Sequence, residues 1–91
     1  MDEFISNASQ FAVGLKVLAI DHDPTVLDFI VQTCDELKYQ VVTCTESLQA
    51  LNLVRERKVR IDVILMELHM SNMNGLEFLQ HIKNDIPVIG L

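Results

Sequence analysis

Apolar and polar positions along this chain alternate between two periods. Lys16 to Ile20 is a short apolar run of the buried-strand type. Asp23-Pro24-Thr25 then reads as a helix start, with Asp as N-cap, Pro at the first helical position and Asp28 in the first turn. Leu27, Ile30, Val31, Cys34 and Leu37 follow at three- and four-residue steps, the stripe of an amphipathic helix. Gln40 to Cys44 is rich in β-formers and predicts a second strand. Thr45 can cap a second helix, with Leu48, Leu51 and Val54 as its inner face, although no capping-box partner stands at N3. Asp62 to Met66 predicts a third strand. Ser71-Asn72-Met73-Asn74-Gly75 is a turn cluster, and Leu76, Phe78, Leu79 and Ile82 mark a third helix. Pro87 to Ile89 begins a fourth strand. Met1 to Gly14 reads as a tail. The order βαβαβαβ implies an α/β fold with a parallel sheet and right-handed crossovers.

Composition narrows the possibilities. Ninety-one residues suit one small domain, and 49% hydrophobic content with 22% charged residues predicts a packed core. Aromatic residues make up 5% and Trp is absent, so that core is aliphatic. A net charge of -6 argues against direct nucleic-acid binding by this segment, because phosphate contacts need a basic surface. The basic concentration at Arg55, Arg57, Lys58 and Arg60 is diluted by Glu56 and reads as a solvated helix end and loop. No apolar run approaches the ~18 residues of a membrane span. The start MDEFISNASQ lacks the basic and apolar regions of a signal peptide. Cys34 and Cys44 lie in apolar-patterned segments and are expected as buried, reduced thiols of an intracellular chain.

Chemistry concentrates at two strand ends. Asp21 closes the first apolar run and Glu67 the third. Parallel strands would bring these acids together at the C-terminal edge of the sheet, where doubly wound folds place their sites. The bland readings are a loop acid at Asp21, a plain N-cap at Asp23 and a surface acid at Glu67. Met66, Met70 and Met73 read as packing residues, and His81 as an exposed helix residue. His22 and His69 flank the acids, and a set of His, His, Asp and Glu would suit zinc.

Three segments, VLAIDHDPTVL, IDVILMELHMSNMNGLEFL and DIPVIGL, resemble the receiver domain of two-component response regulators, most of all the plant type-B regulators. The resemblance covers Leu15 to Leu91. It implies a flavodoxin-like (CheY-like) parallel sheet, here an incomplete βαβαβαβ that lacks the last strand and helices. In that family two acids after strand one and an Asp after strand three hold Mg²⁺, and the latter accepts a phosphoryl group from a phosphohistidine. By position the acidic pair falls on Asp21 and His22, and the phosphoacceptor on Glu67. Asp21 and Glu67 would be what remains of the magnesium site. Ser71 stands where the family prefers Pro. The residues quoted stop before the Ser or Thr that follows strand four and the Lys of strand five.

Each departure has a physical cost. Mg²⁺ demands near-octahedral oxygen ligands and is poorly served by imidazole. Glu67 extends its carboxylate by one methylene, roughly 1.5 Å, and a misplacement of about 1 Å can cost ~100-fold in an in-line transfer. A fixed carboxylate imitates phosphoaspartate only in part, since it lacks the charge and oxygens of phosphate. The expectation is a pseudo-receiver with no enzymatic activity and no required cofactor. It would act in a phosphorelay by binding histidine-phosphotransfer proteins or other response regulators. The resemblance implies a nuclear, cytokinin-type transcriptional setting; otherwise the chain would be cytoplasmic. An exposed strand edge would allow a homodimer. The alternative is a fragment of a competent phosphoacceptor receiver in a longer DNA-binding regulator. A hydrolase or nucleotide-binding module is disfavoured, because GxxxxGK and GxGxxG are both missing.

Overall fold

The computed structural model describes residues 14–56, 59–67, 78 and 86–90. They form strands β1 (Lys16–Ile20), β2 (Gln40–Cys44), β3 (Val63–Met66) and β4 (Val88–Gly90), with helices α1 (Pro24–Glu36) and α2 (Ser47–Glu56). The strands make one parallel sheet in the order β2-β1-β3-β4. The tail 1–13, the turn at 71–75, His69, His81 and the third-helix residues Leu76, Leu79 and Ile82 lie outside the described residues. Phe78 is described: it is helical and fully buried.

β1 explains the layering. Side chains alternate across a strand, so Leu18 and Ile20 enter one apolar cluster and Val17 and Ala19 the other. The first cluster adds Ala50 and Leu51 of α2, Ile64, Met66 and Phe78. The second adds Leu27, Ile30 and Cys34 of α1. The central strand is therefore covered on both faces, as parallel sheets require. Both cysteines are free and buried.

α1 starts as its sequence predicts. The Asp23 carboxylate accepts from the Thr25 N–H at 2.9 Å, and Pro24 opens the helix. Four expectations for the helices are corrected. Asp28 lies beyond the first turn. Val31 and Leu37 leave the buried stripe: the helix ends at Glu36, and Leu37 is half exposed. In α2 the inner face is Ser47, Ala50 and Leu51, with Val54 packed against the same cluster as expected, whereas Leu48 is 51% exposed. That helix starts at Ser47, and the Glu46 carbonyl accepts from the Ala50 N–H, so Thr45 stands too early to cap it.

The helix α1 exit is a Schellman-type closure. Tyr39 N–H donates to the Cys34 carbonyl at 2.8 Å and Lys38 N–H to that of Asp35 at 3.1 Å. The closure holds Lys38 at φ 65°, a left-handed conformation that glycine usually supplies.

β3 begins at Val63 and β4 at Val88, each one residue after the expected start. Asp62 has another task. Its carboxylate accepts from the Lys16 N–H and its own N–H donates to the Lys16 carbonyl, both at 2.8 Å. Arg60 joins this end of the sheet, 3.3 Å from the Asp62 carboxylate and donating to the Gly14 carbonyl at 2.8 Å. Its side chain stays largely exposed, in keeping with a solvated basic segment.

Candidate functional site

The sheet reverses its order between β1 and β3, and the ends of these adjacent strands form the crevice that a doubly wound fold offers to ligands. Ile20 pairs with Cys44 on one side and Met66 on the other. Hydrogen bonding runs one step further: Asp21 N–H donates to the Cys44 carbonyl at 3.2 Å, and Glu67 N–H to the Ile20 carbonyl at 2.9 Å. Asp21 and Glu67 thus leave the sheet side by side with their backbones fixed.

Asp21 is buried, and its Oδ1 accepts from the Asp23 N–H at 2.9 Å. The bond turns the chain sharply out of β1 and holds the carboxylate at the strand end. His22 is mostly exposed, yet its ring reaches back over the edge. Its Nδ1–H donates to Glu67 Oε2, and Nδ1 lies 3.7 Å from Asp21 Oδ1. The His22 backbone N–H also reaches Glu67 Oε2, at 3.4 Å. One donor atom from each of Asp21, His22 and Glu67 falls within 4.8 Å of the others.

Each partner shifts the other. The hydrogen bond from His22 holds the Glu67 carboxyl below its ordinary range, against a smaller upward push from desolvation. The hydrogen bond to Glu67, and then its charge, hold the His22 imidazole above its ordinary value, with Asp21 and Asp23 adding to the effect. The ionised Glu67 thus extends upward the pH range over which the His22 ring carries a positive charge.

Of the residues predicted for the site, Asp21, His22 and Glu67 converge. His69 and Ser71 lie outside the described residues. Asp23 serves as the N-cap and also anchors Asp21. The direct contact between His22 and Glu67 was not foreseen. The available signals were the placement of a histidine one step past the strand-end acid and the extra reach of Glu over Asp.

Magnesium is a poor match for this donor set. It requires oxygen ligands in near-ideal octahedral geometry. One of the three donors here is an imidazole, and the carboxylate it touches already accepts two bonds from His22.

Comparison with known proteins places this geometry in a family. The response regulator receiver domain family matches residues 17–91. The chain is 38% identical over 85 residues to the two-component response regulator ORR26 of Oryza sativa subsp. japonica, covering 91% of this chain and 15% of that protein. It is 39% identical over 79 residues to the two-component response regulator ARR11 of Arabidopsis thaliana, covering 85% of this chain and again 15% of the relative. The chain therefore spans only a small part of these regulators. A response regulator receiver domain protein from Clostridium thermocellum superposes with a TM-score of 0.76 at 28% identity, covering 84% of this chain and 63% of that one. The receiver domain of a Pseudomonas aeruginosa sensor histidine kinase, with magnesium in its active-site cleft, has the same fold, with a TM-score of 0.77 at 22% identity. It covers 86% of this chain and 66% of its own. With the sheet order, the strand-end acids and these matches in agreement, the chain belongs to the response regulator receiver domain family.

Proposed function

We propose that the chain works as a pseudo-receiver in two-component signalling: it binds partner proteins and does not accept phosphate. In this reading Glu67 stands at the phosphoacceptor position, and Asp21 and His22 stand at the acidic pair. The observation that carries it is the hydrogen bond from His22 Nδ1–H to Glu67 Oε2. An acceptor carboxylate must present a free oxygen in line with the incoming phosphoryl group. Here that oxygen is held by the His22 imidazole. The same bond offsets the Glu67 charge, so the carboxylate is a poor imitation of phosphoaspartate.

Binding to histidine-phosphotransfer proteins or other regulators would use the surface of α1 beside the acidic edge. Phe29 is 69% exposed there, which supports an apolar contact on this helix. A nuclear, cytokinin-type transcriptional setting draws its support from the plant regulators to which the chain is related. Self-association would use the outer edge of β4, where Ile89 is half exposed. Among the described residues no helix is long and apolar enough to cross a membrane.

The test is incubation with a phosphorylated histidine-phosphotransfer protein or a small phosphoryl donor, followed by intact-mass analysis. No phosphoryl adduct is expected. A stable adduct mapped to Glu67 or Asp21 would sink the proposal. It would favour the second reading, a competent receiver within a longer DNA-binding regulator. That reading draws support from the length of the relatives, of which this chain spans 15%.

A further inference from the structure

We infer that Asp21, His22 and Glu67 form a site for a late first-row transition ion, zinc above all, in place of a hard ion such as magnesium. The inference rests on the reading that this pocket is closed to magnesium.

The donor chemistry comes first. The cluster offers one imidazole nitrogen and two carboxylate oxygens, each within 4.8 Å of the others. Imidazole favours zinc, copper, nickel and iron, and mixed nitrogen and oxygen sets bind late first-row ions far better than alkaline-earth ions. Three protein ligands with an open fourth position are the pattern of accessible zinc sites.

The geometry is close to what zinc requires. Ligands at 2.0–2.2 Å in a tetrahedron stand about 3.4 Å from one another. His22 Nδ1 and Asp21 Oδ1 are 3.7 Å apart, near that value before any ion is present. Glu67 Oε2 lies closer to Nδ1 than a shared metal allows, so it must move outward while Asp21 closes slightly. Both are side-chain rotations. The backbones stay fixed, because Asp21 and Glu67 are each hydrogen-bonded into the sheet edge. The Asp21 carboxylate is further oriented by the Asp23 N–H, the outer-shell support common at metal sites. The proton on Nδ1 passes to solvent as the ion enters, and the exposed His22 ring leaves the open position to water.

Calorimetric titration of the whole chain with Zn²⁺, and separately with Mg²⁺, tests this. Zn²⁺ is expected at one site, about 100-fold or more tighter than Mg²⁺. His22→Gln and Glu67→Gln should each weaken it by about tenfold or more. A Zn²⁺-dependent shift of the His22 imidazole nitrogens in the NMR spectrum should accompany binding. Zn²⁺ binding that survives His22→Gln puts the ion elsewhere and overturns the inference. Failure to bind either ion also overturns it and leaves the pseudo-receiver reading standing. Tight Mg²⁺ binding overturns both. Because His22 is largely exposed, its substitution leaves the core intact, and circular dichroism of each variant verifies this.

Discussion

Glu67 accepts two hydrogen bonds from a single residue, His22, one from its backbone N–H and one from its ring. The acid after β3 is thereby tied to the residue that follows the acid after β1. The tie depends on the protonation of both groups.

Stability should accordingly vary with pH in a defined way. Glu67 is held below its ordinary 4.5, so its contribution is present above that value and fades as pH falls through the depressed folded value. His22 is held above its ordinary 6.5, so its contribution is full below 6.5 and fades as pH rises through the raised folded value. The pair helps most between pH 4.5 and 6.5. Urea unfolding of the wild-type chain and His22→Gln across pH should show the largest difference in that window. A difference flat across the whole range would refute the assignment.

Core contribution separates two of the leucines. Leu18 is fully buried in the central strand, and Leu18→Ala should cost about 3 kcal/mol. Leu48 points outward from α2, and Leu48→Ala should stay within about 0.5 kcal/mol. Equal losses in chemical denaturation would contradict the inner face described for α2.

Lys38 predicts a gain. A non-glycine residue at φ 65° carries a left-handed penalty of about 1 kcal/mol, and glycine returns part of it through unfolded-state entropy. Lys38→Gly should stabilise the chain by roughly 0.5 kcal/mol. A lowered melting temperature would mean that the Lys38 side chain contributes more than the strain removes.

The thiols should be slow to react. Burial pushes both Cys34 and Cys44 above the ordinary thiol value and also shields them from reagents. Labelling by a thiol reagent at neutral pH should be slow in the native chain and fast in urea. Rapid native labelling of either cysteine would imply local opening of α1 or of the β2 end.

Much of the frame was legible in the residues themselves. β1 falls where the apolar run lies, because a strand buried on both faces has no polar position to blur it; β2, an edge strand with Gln40 and Thr43 exposed, was marked by its β-branched residues instead. The inner face of α2 was harder to read. Ser47 and Ala50 are small, so a count of large apolar side chains passes over them and selects Leu48 instead. Leu37 followed the helical period of α1 but falls just past its end, where the Schellman closure redirects the chain. At the site, strand-end position predicted the meeting of Asp21 and Glu67. The bond between His22 and Glu67 depends on side-chain torsions, to which sequence spacing is blind.

The reciprocal bonds between Lys16 and Asp62 lie at the opposite end of the sheet from the acids, yet they act as the zero mark of a ruler. From that mark β1 and β3 advance in step through their paired residues, so Asp21 and Glu67 arrive level. Inserting one residue into either strand would offset the two acids and turn every following side chain to the other face. Substitution at 22 or 67 leaves the ruler untouched. Mutation can therefore exchange the chemistry of this crevice residue by residue while the alignment of its walls is inherited whole.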